Sequence, residues 1–312
     1  MAVKQALPEA GAAAGGDGIT PSLAELVALR ASARRPAPSR RGRVGLSGQA
    51  PSTLRGRGMD YAESREYVAG DDARHIDWRV TARTGRTHTK LFQAEREQVS
   101  LIVADTSPAL YFGTRTRFKS VQAARVGAVA AWSAQRRGDR IAALRGSHVE
   151  AVVPPAGGTR GVLRVLDALR RWYSQPPADD AGLEQALQQA TRVLRPGARL
   201  LVLADPQQAQ AIALSRWAGL AQHHAVELLL LVDPLEVDPP HEQLDVRAAA
   251  AAVRLDLRAE GIRSAWAAHF LAPLQALQQQ LPARRLAVHV IRTDAASDGW
   301  LGTPSPADTV VA

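Results

Sequence analysis

At 312 residues, with 46% hydrophobic side chains and no cysteine, the chain has an ordinary globular composition and lacks disulfides, thiolate metal sites and thiol nucleophiles. Its formal charge is +9, yet eight arginines and no Asp or Glu fall between Leu26 and Met59; without those arginines the charge drops to +1, so a folded body close to neutral is expected. No window approaches the ~18 apolar residues of a membrane helix, and Pro8 and Glu9 interrupt any signal-peptide core, so the expected location is cytoplasmic.

Residues 1–18 are Ala/Gly-rich without a periodic apolar face, which predicts disorder. Thr20 or Ser22 is placed to cap a short helix through Arg30, and the Pro-Ala-Pro-Ser run after Arg35 stops it. The whole stretch 1–45 then reads as a disordered start, a short helix and a basic arm. Such an arm suits phosphate backbones or acidic partner surfaces, but no aromatic residue interleaves with its arginines to stack on bases. A solubilising linker is therefore expected, rather than a nucleic-acid site.

The segment 46–98 is rich in strand and loop signals, and its core is residues 56–79, GRGMDYAESREYVAGDDARHIDWR. Gly70-Asp71-Asp72 predicts a turn, since Gly supplies positive φ and Asp bonds its own backbone. Arg65, Glu66, Asp72, Arg74, Asp77 and Arg79 surround an apolar spine of Tyr67, Ile76 and Trp78. The expectation is that arginine forks pair with buried carboxylates and pin this segment to the domain that follows.

The pattern Gly56-x-Gly58, Arg65-x-Tyr67, Gly70-Asp71-Asp72-x-Arg74-x-Ile76-Asp77-Trp78, with Ala82-Arg83 and Glu95-Arg96 after it, resembles the bacterial family catalogued as domain of unknown function fifty-eight. The resemblance spans roughly residues 45–293. It implies a von Willebrand factor A-like fold and association with MoxR-type AAA+ ATPases, while leaving the chemistry open.

From Val99 the pattern alternates between strands and helices. Val99–Ala104 predicts a buried strand, and Thr116–Arg137 a helix showing Phe118, Val121, Ala128, Val129 and Trp132 at helical spacing. Asp139–Leu144 and His148–Val153 predict two strands around a Gly146-Ser147 turn. Helices follow at Gly161–Tyr173 and Gly182–Leu194, a strand at Arg199–Asp205, a helix at Ala209–Ala221 and a strand at Ala225–Val232. A last amphipathic helix carries Ile262, Trp266, Phe270, Leu274, Leu277 and Leu281, before a strand at Arg285–Arg292. The alternation predicts an α/β fold over 99–295, a Rossmann-like, mostly parallel sheet with helices on both faces, followed by a flexible tail at 296–312. Ligand sites in such sheets lie beyond the carboxyl ends of the strands, where Asp105 and Asp205 fall.

The resemblance also implies a metal-ion-dependent adhesion site, built from a DxSxS loop, a threonine and a further aspartate. The matching positions are Asp105, Ser107, Thr159 of Gly157-Gly158-Thr159, and Asp205, but Ala109 stands where a serine is required. Mg²⁺ or Mn²⁺ prefers six oxygens and keeps waters, so loss of one hydroxyl costs roughly 1–3 kcal/mol, about 10- to 100-fold in affinity. A weak site and a vestigial one both satisfy this pattern.

Other chemistry finds less support. GTRTRFKS at 113–120 has P-loop spacing, but Phe118 occupies the position of the second glycine, so nucleotide hydrolysis is assigned to a partner. The eight histidines form no HExxH, and His223-His224 reads as structural. Asp71, Asp72 and Asp77 invite a two-metal phosphoesterase, which neighbouring Arg65, Arg74 and Arg79 oppose. The expected function is a non-enzymatic adaptor that works with a MoxR-type ATPase on a client through the degenerate site. The signature residues Arg65, Tyr67, Gly70, Asp71, Asp72, Arg74, Asp77 and Trp78 form a brace or a second docking surface. The alternatives are a divalent-metal-dependent phosphoester hydrolase and nucleic-acid binding through the arm.

Overall fold

A computed structural model describes residues 16–34, 59–94, 98–248 and 251–302. The expected disorder of 1–15, most of the arginine arm, Glu95-Arg96 and the end of the tail from 303 lie outside the described residues. The chain divides into two compact units, one from 1–39 with 98–312 and the other from 40–97.

The smaller unit is an antiparallel pair, β1 (Met59–Glu66) and β2 (His88–Ala94), joined through a short 3₁₀ turn at Ala73–His75 and helix α2 (Trp78–Thr84). Asp77 caps α2, its side chain accepting from the amides of Arg79 and Val80 at 3.2 Å each, and Gly85 at φ 72° ends it.

The larger unit begins with α1 (Leu23–Ala28), capped by Ser22 as its sequence predicts. Around it stand β3 (Val99–Ala104), α3 (Lys119–Arg136), β4 (Arg140–Arg145), β5 (Val153–Ala156), α4 (Gly158–Trp172), α5 (Gly182–Val193) and β6 (Arg199–Ala204). Then come α6 (Pro206–Ala211), α7 (Leu214–His223), β7 (Ala225–Val232), α8 (Pro234–Val237), the antiparallel hairpin β8 (Gln243–Ala248) and β9 (Ala251–Asp256), α9 (Glu260–Trp266), α10 (Ala272–Gln280) and β10 (Ala287–Arg292). Six strands form one sheet in the order β10-β7-β6-β3-β4-β5, parallel except for the edge strand β5. Among the described residues no helix is long and apolar enough to cross a membrane.

The central strands are apolar on both sides because both sides are covered. Ile102 and Ala104 face a core with α1, α3 and α4, while Leu101 and Val103 face one with α5, α6, α7 and α10. The first helix belongs to this body: Leu26 is fully buried, its carbonyl accepts from Trp132 Nε1 at 3.1 Å, and Phe118 N donates to Gly18 O. Residues 293–301 also pack, with Arg117 donating to the carbonyls of Thr293 and Ala295 and Arg125 to Ser297 Oγ.

Three expected elements differ, and one element is additional. The strand expected at His148–Val153 is a turn, and the strand proper is Val153–Ala156; its Pro154 and Pro155 are tolerated because β5 is an edge. The helix expected at Ala209–Ala221 is two helices, because Ile212 leaves helical geometry (ψ 128°) and is buried; its amide closes the last turn on the Ala209 carbonyl, which also accepts from Trp217 Nε1. The last helix carries a π-helical turn at Ala267–Leu271. Pro273 lacks the amide that would reach His269 O, and Gln207 Nε2 donates to that carbonyl instead at 3.2 Å. The β8–β9 hairpin was not expected at all.

Candidate functional site

The strand order reverses between β3 and β6, which makes their carboxyl ends the switch point of the sheet. Asp105 follows β3 and Asp205 follows β6, so the topology brings the two expected aspartates together: Asp205 N donates to Asp105 Oδ2 at 2.9 Å. Ser107 joins them, donating from N to Asp105 Oδ1 at 2.9 Å and from Oγ to Oδ2 at 3.2 Å. All three are buried. Burial pushes the Asp105 carboxyl up to about 6, against the lowering effect of the amides it accepts from.

Thr159 does not join this group. It is exposed at the start of α4, and its Oγ1 accepts from Gln135 Nε2 at 2.9 Å. Gln135 lies sixteen residues along α3 from Lys119, about 24 Å at 1.5 Å per residue, toward the opposite end of the sheet. The third loop above the switch point is instead the one before α5. There Asp180 Oδ1 accepts from Thr106 Oγ1 at 3.1 Å and from Gly182 N at 3.1 Å.

The charge at the centre comes from a residue the sequence reading passed over. Lys119, the first residue of α3, is 1% exposed and places Nζ 2.7 Å from Asp205 Oδ2 and 2.6 Å from Glu236 Oε1. Burial works against its charge, but the two carboxylates outweigh it and hold the ammonium above its ordinary value. Asp205 Oδ1 caps α6 through Gln207 N, and Glu236 Oε2 accepts from Asp233 N at 2.8 Å. Asp233, fully buried, accepts in turn from Thr114 N at 3.0 Å, Thr293 Oγ1 at 2.8 Å and Leu235 N at 3.0 Å. The GTRTRFKS loop is thus lashed to β7 through Asp233, and its lysine points at carboxylates rather than at a phosphate.

These residues do not fit a divalent ion. Asp105 has both oxygens engaged by Ser107 and the Asp205 amide, Ser107 Oγ donates into the cluster, an ammonium holds Asp205, and the threonine is elsewhere.

A profile of the family described as "Protein of unknown function DUF58" matches residues 63–272. The chain belongs to the DUF58 family. It is also 29% identical over 205 residues to uncharacterized proteins of Mycobacterium bovis and of two strains of Mycobacterium tuberculosis, covering 62% of this chain and 62% of each relative. The DUF58 chain therefore spans less than two thirds of the length of those relatives.

The DUF58 signature also settles differently from expectation. Arg65 Nη2 meets Asp71 Oδ1 at 2.6 Å, Asp71 Oδ2 accepts from Val68 N, and Tyr67 Oη donates to Asp71 O. Gly70 at φ 111° closes this turn. Asp72 caps the 3₁₀ turn through Arg74 N at 3.0 Å, and Asp77 accepts from Ser64 Oγ at 3.0 Å besides capping α2. The carboxylates are used inside their own unit, and the buried one, Asp77, is held by amides and a hydroxyl instead of an arginine fork. Trp78, expected in the apolar spine, is 70% exposed because it is the first residue of α2 and turns outward from the cap. Asp71, Asp72 and Asp77 do not converge as a two-metal site would require. Replacing Asp77 by Ala should leave the body of the protein unchanged but increase amide exchange at Arg79 and Val80, read by hydrogen–deuterium exchange; unaltered protection there would show that the cap is dispensable.

Proposed function

We propose that this DUF58 chain is a non-enzymatic, von Willebrand factor A-like interaction module that works with a MoxR-type AAA+ ATPase in the assembly or maturation of a client. It engages partners through the loops at the carboxyl ends of the sheet, with the signature unit and its exposed Trp78 and Tyr67 as a second docking surface. The observation that carries the reading is Lys119 between Asp205 and Glu236. A crevice that performs hydrolysis needs free oxygens or an open coordination position, whereas here a resident ammonium neutralises the switch point from within. The strand order, with its single antiparallel edge, supports the von Willebrand factor A-like part. A cytoplasmic location fits a partner of this kind.

The reading makes docking independent of divalent ions. Mg²⁺ and Mn²⁺ titrated calorimetrically into the purified chain should give no binding heat. The MoxR-type ATPase encoded in the same genome should bind with equal affinity in nucleotide-free buffer with Mg²⁺ or with EDTA. Absence of any complex would remove the ATPase from the account, and a complex seen only with Mg²⁺ would remove the ammonium.

A further inference from the structure

Helix α2 leaves charge unspent on its outer side. Its inner side meets the hairpin: Val80 and Thr81 are half-buried, and Thr81 Oγ1 accepts from His88 N of β2 at 3.0 Å. The opposite side shows Trp78, Arg79, Ala82 and Arg83, all exposed, with Trp78 at 70%. Helical spacing sets Trp78 in line with Ala82 and Arg79 in line with Arg83, so an indole beside a small side chain runs alongside two guanidinium groups. Arg74, also exposed, precedes the helix on the 3₁₀ turn.

These arginines differ from Arg65 and Arg86, which pair with Asp71 at 2.6 Å and Glu66 at 2.8 Å. Arg74, Arg79 and Arg83 have no carboxylate partner among the described residues. The acids close to them in sequence are already engaged. Asp72 caps the 3₁₀ turn through Arg74 N, and Asp77 is buried and accepts from Ser64 Oγ and from the amides of Arg79 and Val80. Arg79 and Arg83 are like charges one helical turn apart, which repel each other and gain when carboxylates approach from outside.

The chemistry of the face therefore selects its occupant. Guanidinium forks match carboxylates, and Trp and Arg are the side chains that carry most of the energy of protein interfaces. A single-stranded nucleic acid needs successive aromatic platforms along a cationic track. Here Tyr67 is tied through Oη to the Asp71 carbonyl, and Arg65 and Arg86 are already neutralised, so no such track leads away from Trp78.

We infer that the outer face of α2 docks an acidic segment of a partner protein. An apolar side chain of that segment lies on Trp78 and Ala82, and its carboxylates meet Arg79 and Arg83, with Arg74 at the edge. This deepens the adaptor reading and rests on it, naming what the signature unit takes.

Two measurements test the face. In the full chain alone, the iodide quenching of fluorescence that is lost in Trp78→Ala should fall roughly twofold when Arg79→Glu and Arg83→Glu are combined, while quenching by neutral acrylamide stays the same. Unchanged iodide quenching overturns the cationic frame and the acidic occupant with it. In calorimetric titrations with the MoxR-type ATPase of the same genome, in nucleotide-free buffer, that double variant and Trp78→Ala should each bind roughly tenfold more weakly with unchanged thermal melts. Arg86→Glu, the same kind of charge change at a paired site, should bind as wild type. Wild-type-like binding by the double variant overturns the docking face and leaves the adaptor reading in place, and an equal loss in Arg86→Glu overturns it in favour of net charge. No binding by the wild type overturns the adaptor reading and the face together. Oligothymidylate bound by the wild type but not by the double variant overturns the acidic protein segment in favour of nucleic acid. Should the double variant alter the melt, Arg79→Gln with Arg83→Gln carries the same expectation.

Discussion

Lys119→Met should destabilise the protein by about 3–5 kcal/mol, the usual cost of leaving buried carboxylates without their counter-charge. In a unit of this size that is roughly a 10 °C fall in Tm, read by thermal or urea unfolding. The cause is specific. Asp205 and Glu236 are each about 5% exposed, and Asp105 lies on the Asp205 amide, so removing one ammonium leaves three acidic groups close together. Adding Asp205→Asn and Glu236→Gln to Lys119→Met should recover most of the loss, because neutral amides of similar size still accept from Gln207 N and Asp233 N. If the single variant melted like wild type, the ammonium would contribute nothing and the assignment of the switch point as self-neutralised would fail.

The stability that Asp105 contributes should rise as pH is lowered from 7 to 5. Its carboxyl is pushed up to about 6 by burial, from an ordinary 3.8. In that window the folded chain holds a proton that the unfolded chain releases, so the group's contribution is greatest below about pH 4. It declines as pH rises toward 6, for a total of about 3 kcal/mol, of which about 1.4 kcal/mol separates pH 7 from pH 5. Groups with the opposite displacement, such as Glu150 and Asp167, lose their contribution as pH falls below the ordinary carboxylate range, so the gain reverses on further acidification. Urea unfolding of wild type and Asp105→Asn at several pH values isolates this contribution as the difference between the two. Asp105→Asn should be less stable throughout, since its amide opposes one of the donating N–H groups, and should lose stability relative to wild type between pH 7 and 5, where burial of His224 and His289 holds both below their ordinary value and acts in the opposite direction. An identical pH dependence in wild type and Asp105→Asn would assign the effect elsewhere.

Periodicity carried most of the sheet. Continuous apolar runs such as Val99–Ala104 and Ala225–Val232 have one stable fate in an alternating chain, burial on both faces, and their carboxyl ends then place Asp105 and Asp205 side by side. Elements decided by one distant contact were not legible. The break at Ile212 depends on burying that side chain and on Trp217 reaching Ala209 O, and the π-turn depends on Gln207 meeting His269 O. The β8–β9 hairpin had a signal, the alternation Gln-Leu-Asp-Val-Arg against Val-Arg-Leu-Asp, which the intervening alanines obscured.

The site was half legible for a related reason. Loops after adjacent parallel strands must meet, but a Gly-Gly-Thr matched by motif alone has no such constraint, and Thr159 stands at the other end of α3. Lys119 was visible as one of three lysines in an arginine-rich chain. A lysine at the entry of a buried helix, with carboxylates due at the ends of two neighbouring strands, is the cue that would have found it. In the signature segment, composition predicted ion pairs correctly in kind, but a sequence cannot say whether Arg65 finds a carboxylate six residues away or in another unit; it finds Asp71.

The docking of α1 has a consequence for how the polypeptide is made. Its Leu26 and Leu29 complete a core whose other walls, α3 and α4, end only at Trp172. During synthesis this segment emerges well over a hundred residues before the surface it covers, and until then two leucines stay wet on a nascent chain. Closure of that seam is a late, long-range event, so slowed elongation before Trp172 should prolong dependence on chaperones, whereas a pause beyond it should not.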